Sequence, residues 1–190
     1  YYDKPGRGLQ VIREFSSRPV IDPFRAGLDV ASLFQAGLEL ADRCSVAGES
    51  GERLFDLLEG FMSALPRCRD PWGAFFAFET GLLTVSGLMP AVEQCDRCKK
   101  GLAGSVFSIT PSTGEVTCAA CGPGDGTLSR AACEFLGAIL ADGFEGTLAT
   151  ELEPSVRREV GVLLHRLLEH HLDGYRIPAA LVTLKGVNEA

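Results

Sequence analysis

Two Cys-x-x-Cys pairs, Cys95/Cys98 and Cys118/Cys121, stand nineteen residues apart in the stretch CDRCKKGLAGSVFSITPSTGEVTCAAC. Nothing else in the chain restricts the fold as much. Each pair presents two sulfurs to one ion from a tight turn, and two pairs close a tetrahedral shell only if the chain between them doubles back. The intervening residues supply that reversal: Val106-Phe107-Ser108-Ile109 and Glu115-Val116-Thr117 flank the turn sequence Pro111-Ser112-Thr113-Gly114. The expectation is a zinc ribbon with Zn2+ as a structural cofactor on Cys95, Cys98, Cys118 and Cys121, and with Phe107 and Val116 covering one side of the site.

Other uses of these cysteines stay open at this level. A dithiol redox pair needs a thiolate-stabilising helix N-terminus in a βαβ context, which the surrounding sequence lacks. Spacing alone leaves an iron-sulfur cluster open. Disulfides belong to oxidising compartments, whereas this chain reads as cytoplasmic: no apolar run approaches the roughly 18 residues that span a bilayer, and YYDKPGRG has no signal-peptide core. No membrane association is expected. The first residue is not Met, and a missing N-terminal portion is part of the expectation.

The cysteine segment interrupts a helix-rich chain. From Asp22-Pro23 to Cys44 the apolar positions Phe24, Leu28, Ala31, Leu38 and Ala41 predict a helix capped by Asp22 with Pro23 in its first turn. Leu54, Phe55, Leu58, Phe61, Met62 and Leu65 predict a second, ended by Pro66. A third starts after Asp70-Pro71, carries Phe75, Phe76, Phe78, Glu79, Leu82 and Leu83, and stops at Gly87-Leu88-Met89-Pro90. Beyond the cysteines, Ser129 caps a helix through Cys133, Phe135, Leu136, Ile139 and Leu140. The last begins near Pro154 and buries Val156, Val160, Leu163, Leu164, Leu167, Leu168 and Leu172. Near the N-terminus LQVIREF, Leu9 to Phe15, reads as a strand with no evident partner, and no fate is assigned to residues 179–184. The fold class is mainly α: a helical bundle with an embedded four-cysteine zinc finger or ribbon.

A closed four-sulfur shell leaves no coordination position for water, so the metal is expected to hold structure rather than to hydrolyse. No framed catalytic motif or phosphate-binding glycine loop is present, and no catalytic residue is assigned. Cys44, Cys68 and Cys133 fit small core positions. His165, His170 and His171 lack the i,i+4 spacing of a helical metal pair and suit the C-terminal end of a helix. A net charge of -7 argues against broad electrostatic binding to nucleic acid. Contacts with DNA or a partner would be local, with Lys4, Arg7, Arg97, Lys99, Lys100, Arg157, Arg158, Arg166 and Arg176 as candidates. Two of these brought together would grip a phosphate or a partner's carboxylate tail.

The order of these features resembles one family, the bacterial recombination mediator RecO. The resemblance is carried by YYDKPGRGLQVIREF, LFDLLEGFMSAL, FFAFETGLLTVSGLMPAVEQCDRC, VFSITPSTGEVTCAAC and REVGVLLHRLLEHHL, which together cover most of the chain. It implies a remnant strand of an OB-fold barrel in residues 1–20 and a helical domain over 21–190 with its zinc-binding insert at 93–123. It also implies a role in DNA repair and recombination: binding single- and double-stranded DNA, docking RecR and the C-terminal tail of single-stranded DNA-binding protein, and helping indirectly to load RecA at gaps in the nucleoid. Two rival readings remain at this stage. One is a zinc-dependent enzyme using the Cys95 to Cys121 insert with His165 or a carboxylate as base; the other is a zinc-stabilised helical scaffold that meets no DNA.

Overall fold

The computed structural model describes residues 26–45, 51–122, 127–172 and 174–188, with Glu14 as an isolated position. The LQVIREF strand, the Asp22-Pro23 cap, Lys4 and Arg7 lie outside the described residues. The described helices are α1 (Leu28–Cys44), α2 (Gly51–Ala64), α3 (Pro71–Val85), α4 (Arg130–Asp142), α5 (Pro154–His171) and α6 (Ala179–Asn188). A two-stranded antiparallel hairpin, β1 (Phe107–Ile109) and β2 (Val116–Cys118), sits between α3 and α4 in register Phe107 to Cys118, Ser108 to Thr117 and Ile109 to Val116.

Helix α3 is the axis of the bundle. PWGAFFAFETGLLTV is apolar on every side, and a helix without a polar face must be surrounded. It packs against α1, α2, α4 and α5. Phe75, Phe76, Phe78, Leu82 and Leu83 are buried, and Phe78 stacks on Phe61 of α2 at 4.6 Å between ring centroids. Close approach at that point depends on Gly37 in α1, where a Cβ would lie 2.4 Å from the Phe61 ring.

Both ends of α3 are encoded locally. Asp70 Oδ1 accepts from the Trp72 backbone N–H at 3.0 Å, with Pro71 in the first turn. At the other end Gly87 adopts φ 69, and the Gly87 and Leu88 N–H groups return to the carbonyls of Thr84 and Leu83. That pair of bonds is a Schellman stop, and it turns the chain toward Cys95. Ser129 caps α4 as expected, its hydroxyl accepting from Ala132 N–H at 3.3 Å.

The first helix departs from expectation in two ways. It begins at Leu28 because Gly27, at φ 116 and ψ 166, holds a backbone conformation incompatible with helix. Its buried stripe is Val30, Leu33, Ala36, Gly37, Leu40 and Ala41, rotated from the predicted one, so Leu28 is 59% exposed. In α2 the predicted Phe55 is likewise exposed, while Leu54 and Phe61 turn inward.

Residues 179–184 prove to be part of α6, which packs on α1 with Leu181 and Leu184 buried. Its first N–H, on Ala179, donates to Glu39 Oε2 of α1 at 3.0 Å, and Arg43 donates to the Arg176 carbonyl. A cap supplied from another helix leaves no trace in the local sequence.

Candidate metal centre and docking groove

The four predicted cysteines converge. Their sulfurs all lie within 4.8 Å of one another, and Cys98 Sγ is 3.7 Å from Cys118 Sγ. A tetrahedral zinc with bonds of about 2.3 Å separates its sulfurs by about 3.8 Å, so the cluster fits such an ion. The donor set is all sulfur, which suits zinc and also iron-sulfur chemistry.

Each turn is built by backbone geometry. In the first, Cys95 N–H donates to the Lys100 carbonyl and Lys99 N–H to the Cys95 carbonyl, both at 2.8 Å, with Lys99 in the left-handed region at φ 59. In the second, Cys118 leads into a 3-10 turn over Ala119–Cys121 that ends at Gly122, φ 102. The turns are tied to each other by side chains. Asp96 Oδ2 accepts from Val116 N–H at 2.7 Å, and Arg97 donates to Glu115 Oε1 at 2.9 Å and to the Cys121 carbonyl at 3.1 Å.

Electrostatics show what such a cluster needs. Backbone N–H groups of Cys98 and Cys118 hold the Cys95 thiol down at about 6. Cys118 is also lowered, chiefly by the Cys121 N–H. Cys121 is pushed up to about 12, first by hydrogen bonding with the Cys98 and Cys118 sulfurs, then by burial. The first thiolate forms readily and the last resists, because adjacent like charges cannot all ionise without a cation among them. A dication at the centre satisfies all four.

The hairpin joins this cluster to the bundle. Ile109 and Val116 are fully buried and Phe107 nearly so, so the hairpin's apolar side chains belong to the core. Phe107 N–H faces Cys133 Sγ of α4 at 3.5 Å, Leu128 N–H donates to the Phe107 carbonyl, and Arg130 of α4 donates to the Gly104 carbonyl at 2.9 Å.

Between hairpin and α5 lies a groove of about 240 Å³ whose lining includes Pro111, Leu128, Arg158, Val162, Leu163 and Arg166. Arg158, Val162 and Arg166 recur every four residues and so share one face of the helix. Val162 is 45% exposed between two exposed arginines. Glu159 also lines the groove, but its Oε2 accepts from Ser129 N–H at 2.6 Å.

A profile of the family described as recombination protein O C terminal matches residues 25–179. The chain belongs to this family. It is 35% identical over 131 residues to the DNA repair protein RecO of Anaeromyxobacter sp. (strain K), covering 67% of this chain and 51% of that protein. Over 109 residues it is 41% identical to the DNA repair protein RecO of Anaeromyxobacter sp. (strain Fw109-5), covering 54% and 41%. The match to the DNA repair protein RecO of Roseiflexus sp. (strain RS-1) is 26% over 187 residues, 97% of this chain and 65% of that one. The chain spans about half the length of the first of these curated relatives. No solved structure matches it. The family and its relatives are named for recombination and repair, and for no catalysed reaction.

The basic candidates part company in this RecO C-terminal domain. Arg158 and Arg166 share the groove. Arg157 turns away from it: its Nη2 donates to Asp70 Oδ2 at 2.6 Å and its guanidinium lies 5.8 Å from the Trp72 ring centroid. Arg97 bridges the two cysteine turns, Lys99 faces Asp96 at 3.7 Å, and Lys100 and Arg176 are exposed. His165 Nδ1 is 3.1 Å from the Tyr175 hydroxyl in a half-buried contact, whereas His170 is exposed near the α5 C-terminus. Cys68 and Cys133 are buried and Cys44 packs at the core's edge. Among the described residues, no helix is long and apolar enough to cross a membrane.

Sequence reasoning named both groove arginines but missed Val162 and the opposing wall of Pro111 and Leu128. The four-residue spacing of Arg158, Val162 and Arg166 was the available signal.

Proposed function

We propose that this RecO-family chain is a non-enzymatic recombination mediator whose helical domain docks other repair proteins. In this reading it binds RecR and the C-terminal tail of single-stranded DNA-binding protein and so helps load RecA at gaps. Single- and double-stranded DNA are gripped mainly by an N-terminal OB-fold domain ending in residues 1–20, followed by the helical domain of 21–190 with its insert at 93–123. The metal on Cys95, Cys98, Cys118 and Cys121 is a structural Zn2+. Acting at gapped DNA, the protein works at the nucleoid.

The observation that supports this reading most is the groove beside α5. A C-terminal tail ends in a free carboxylate, and a groove with an apolar floor between two guanidiniums that form no ion pair among the described residues is chemically suited to such an end. The chain as a whole carries a net charge of -7, so a paired set of exposed arginines stands out against an acidic background.

The test is fluorescence anisotropy with a labelled peptide of the single-stranded DNA-binding protein tail. Arg158→Ala combined with Arg166→Ala is expected to weaken binding at least tenfold, about 1.4 kcal/mol or more, and amidating the peptide's terminal carboxylate should weaken it comparably. Equal affinity of wild type and double variant would remove the groove from the reading.

A further inference from the structure

A second groove, sharing no lining residue with the first, runs between the cysteine ribbon and α4. It encloses about 620 Å³. Its ribbon wall includes Val92, Leu102 and Phe107, and its helix wall Gly137, Leu140 and Ala141. Two features separate it from a simple packing defect.

The first is shape. Gly137 stands within α4, where glycine costs roughly 0.5–1 kcal/mol relative to alanine. A Cβ placed there would meet nothing within 4 Å, and the residue is exposed. Among the described residues nothing therefore occupies the place of the missing side chain, and the glycine leaves the groove floor open. The second is charge. Glu93 on the ribbon side and Glu134 on α4 are exposed at the rim and form no ion pair among the described residues. Arg130, the cation in the same lining, is tied to the Gly104 carbonyl at 2.9 Å. The groove thus has an apolar floor and a rim on which two carboxylates outnumber one guanidinium that is already oriented toward a backbone carbonyl.

We infer that the groove between the cysteine ribbon and α4 docks a partner-protein segment that presents apolar side chains flanked by lysine or arginine. The apolar side chains fill the space over Gly137, and the basic ones meet Glu93 and Glu134. This is the opposite charge preference to the groove beside α5, so one domain can hold an acidic chain end and a basic segment at once without competition.

The experiment uses a fluorescein-labelled 18-residue amphipathic helix of leucine and lysine, with its leucine and glutamate counterpart as control, titrated with metal-loaded protein. Wild type is expected to bind the lysine peptide and not the glutamate peptide. Gly137→Leu is expected to weaken binding at least tenfold while leaving thermal stability equal or higher, since it adds helix propensity in open space. Glu93→Gln with Glu134→Gln should weaken it at least fivefold, whereas Glu52→Gln with Glu59→Gln, exposed on α2, should not. An equal loss from the α2 pair would show nonspecific attraction to an acidic protein and overturn the proposal. So would undiminished binding to Gly137→Leu. Self-association abolished by Gly137→Leu would replace the partner segment by a second copy of this chain and also overturn it.

Discussion

Replacing Glu79 by Gln should stabilise the protein, and by an amount that grows with pH. Glu79 lies inside α3, 4% exposed, and burial pushes its carboxyl up from 4.5 to about 8. Burial is the cause of this shift among the described residues. The sign follows from proton binding: between pH 4.5 and 8 the folded state holds a proton that the unfolded state releases. This group's contribution is therefore fully favourable below about 4.5 and is lost as pH rises toward 8. Each unit is worth about 1.4 kcal/mol, so by pH 7 roughly 3 kcal/mol has been given up, and by pH 8 roughly 4. Glutamine matches the neutral carboxyl in size and never ionises. Urea unfolding of wild type and Glu79→Gln at pH 5, 6, 7 and 8 measures the difference directly, and comparison at each pH cancels other titrating groups, metal ligands included. The gap between the two proteins should widen by about 2–3 kcal/mol from pH 5 to 7. A gap that stays flat across this range would refute the reasoning, because it would mean the carboxyl titrates alike in both states.

Two further substitutions probe the frame around the sites. Asp70 is 6% exposed and serves three donors, capping α3 through Trp72 N–H while its Oδ2 accepts from Leu152 N–H at 3.3 Å and from Arg157. Asp70→Ala should cost about 2–4 kcal/mol in thermal or urea unfolding from the lost cap and the stranded partners, and Asp70→Asn markedly less. Cys95→Ser removes a buried ligand, and metal analysis should show loss of the bound ion. Hydrogen exchange should then accelerate at the amides of Phe107–Ile109 and Val116–Cys118, while the helical circular dichroism signal persists because α1, α2 and α3 pack together without the ribbon.

What could be read from the chain was whatever its chemistry settles within a few residues. Asp70 and Ser129 announce helix starts because a side-chain cap acts two or three positions ahead. Gly87 announces a stop because only the left-handed region accommodates that turn. The convergence of the four cysteines was legible because each Cys-x-x-Cys turn is local and the hairpin between them has its own turn sequence. The failures share the opposite property. The α6 cap comes from Glu39, and the partner of Arg157 is Asp70, contacts spanning 140 and 87 positions. The rotated stripe of α1 is fixed by Phe61 seating on Gly37, which periodicity within α1 cannot report. Each groove joins a helix to residues of the ribbon or of the segment that follows it, so neither exists until the two meet.

The central claim is that a metal-held ribbon supplies one wall of a docking surface. Its most direct test is the affinity of the single-stranded DNA-binding protein tail peptide for protein stripped of metal by a chelator and then reconstituted with zinc. Stripping is expected to weaken binding at least tenfold, with full recovery at one zinc per chain. Unchanged affinity in metal-free protein whose hairpin amides have lost their exchange protection would contradict the account.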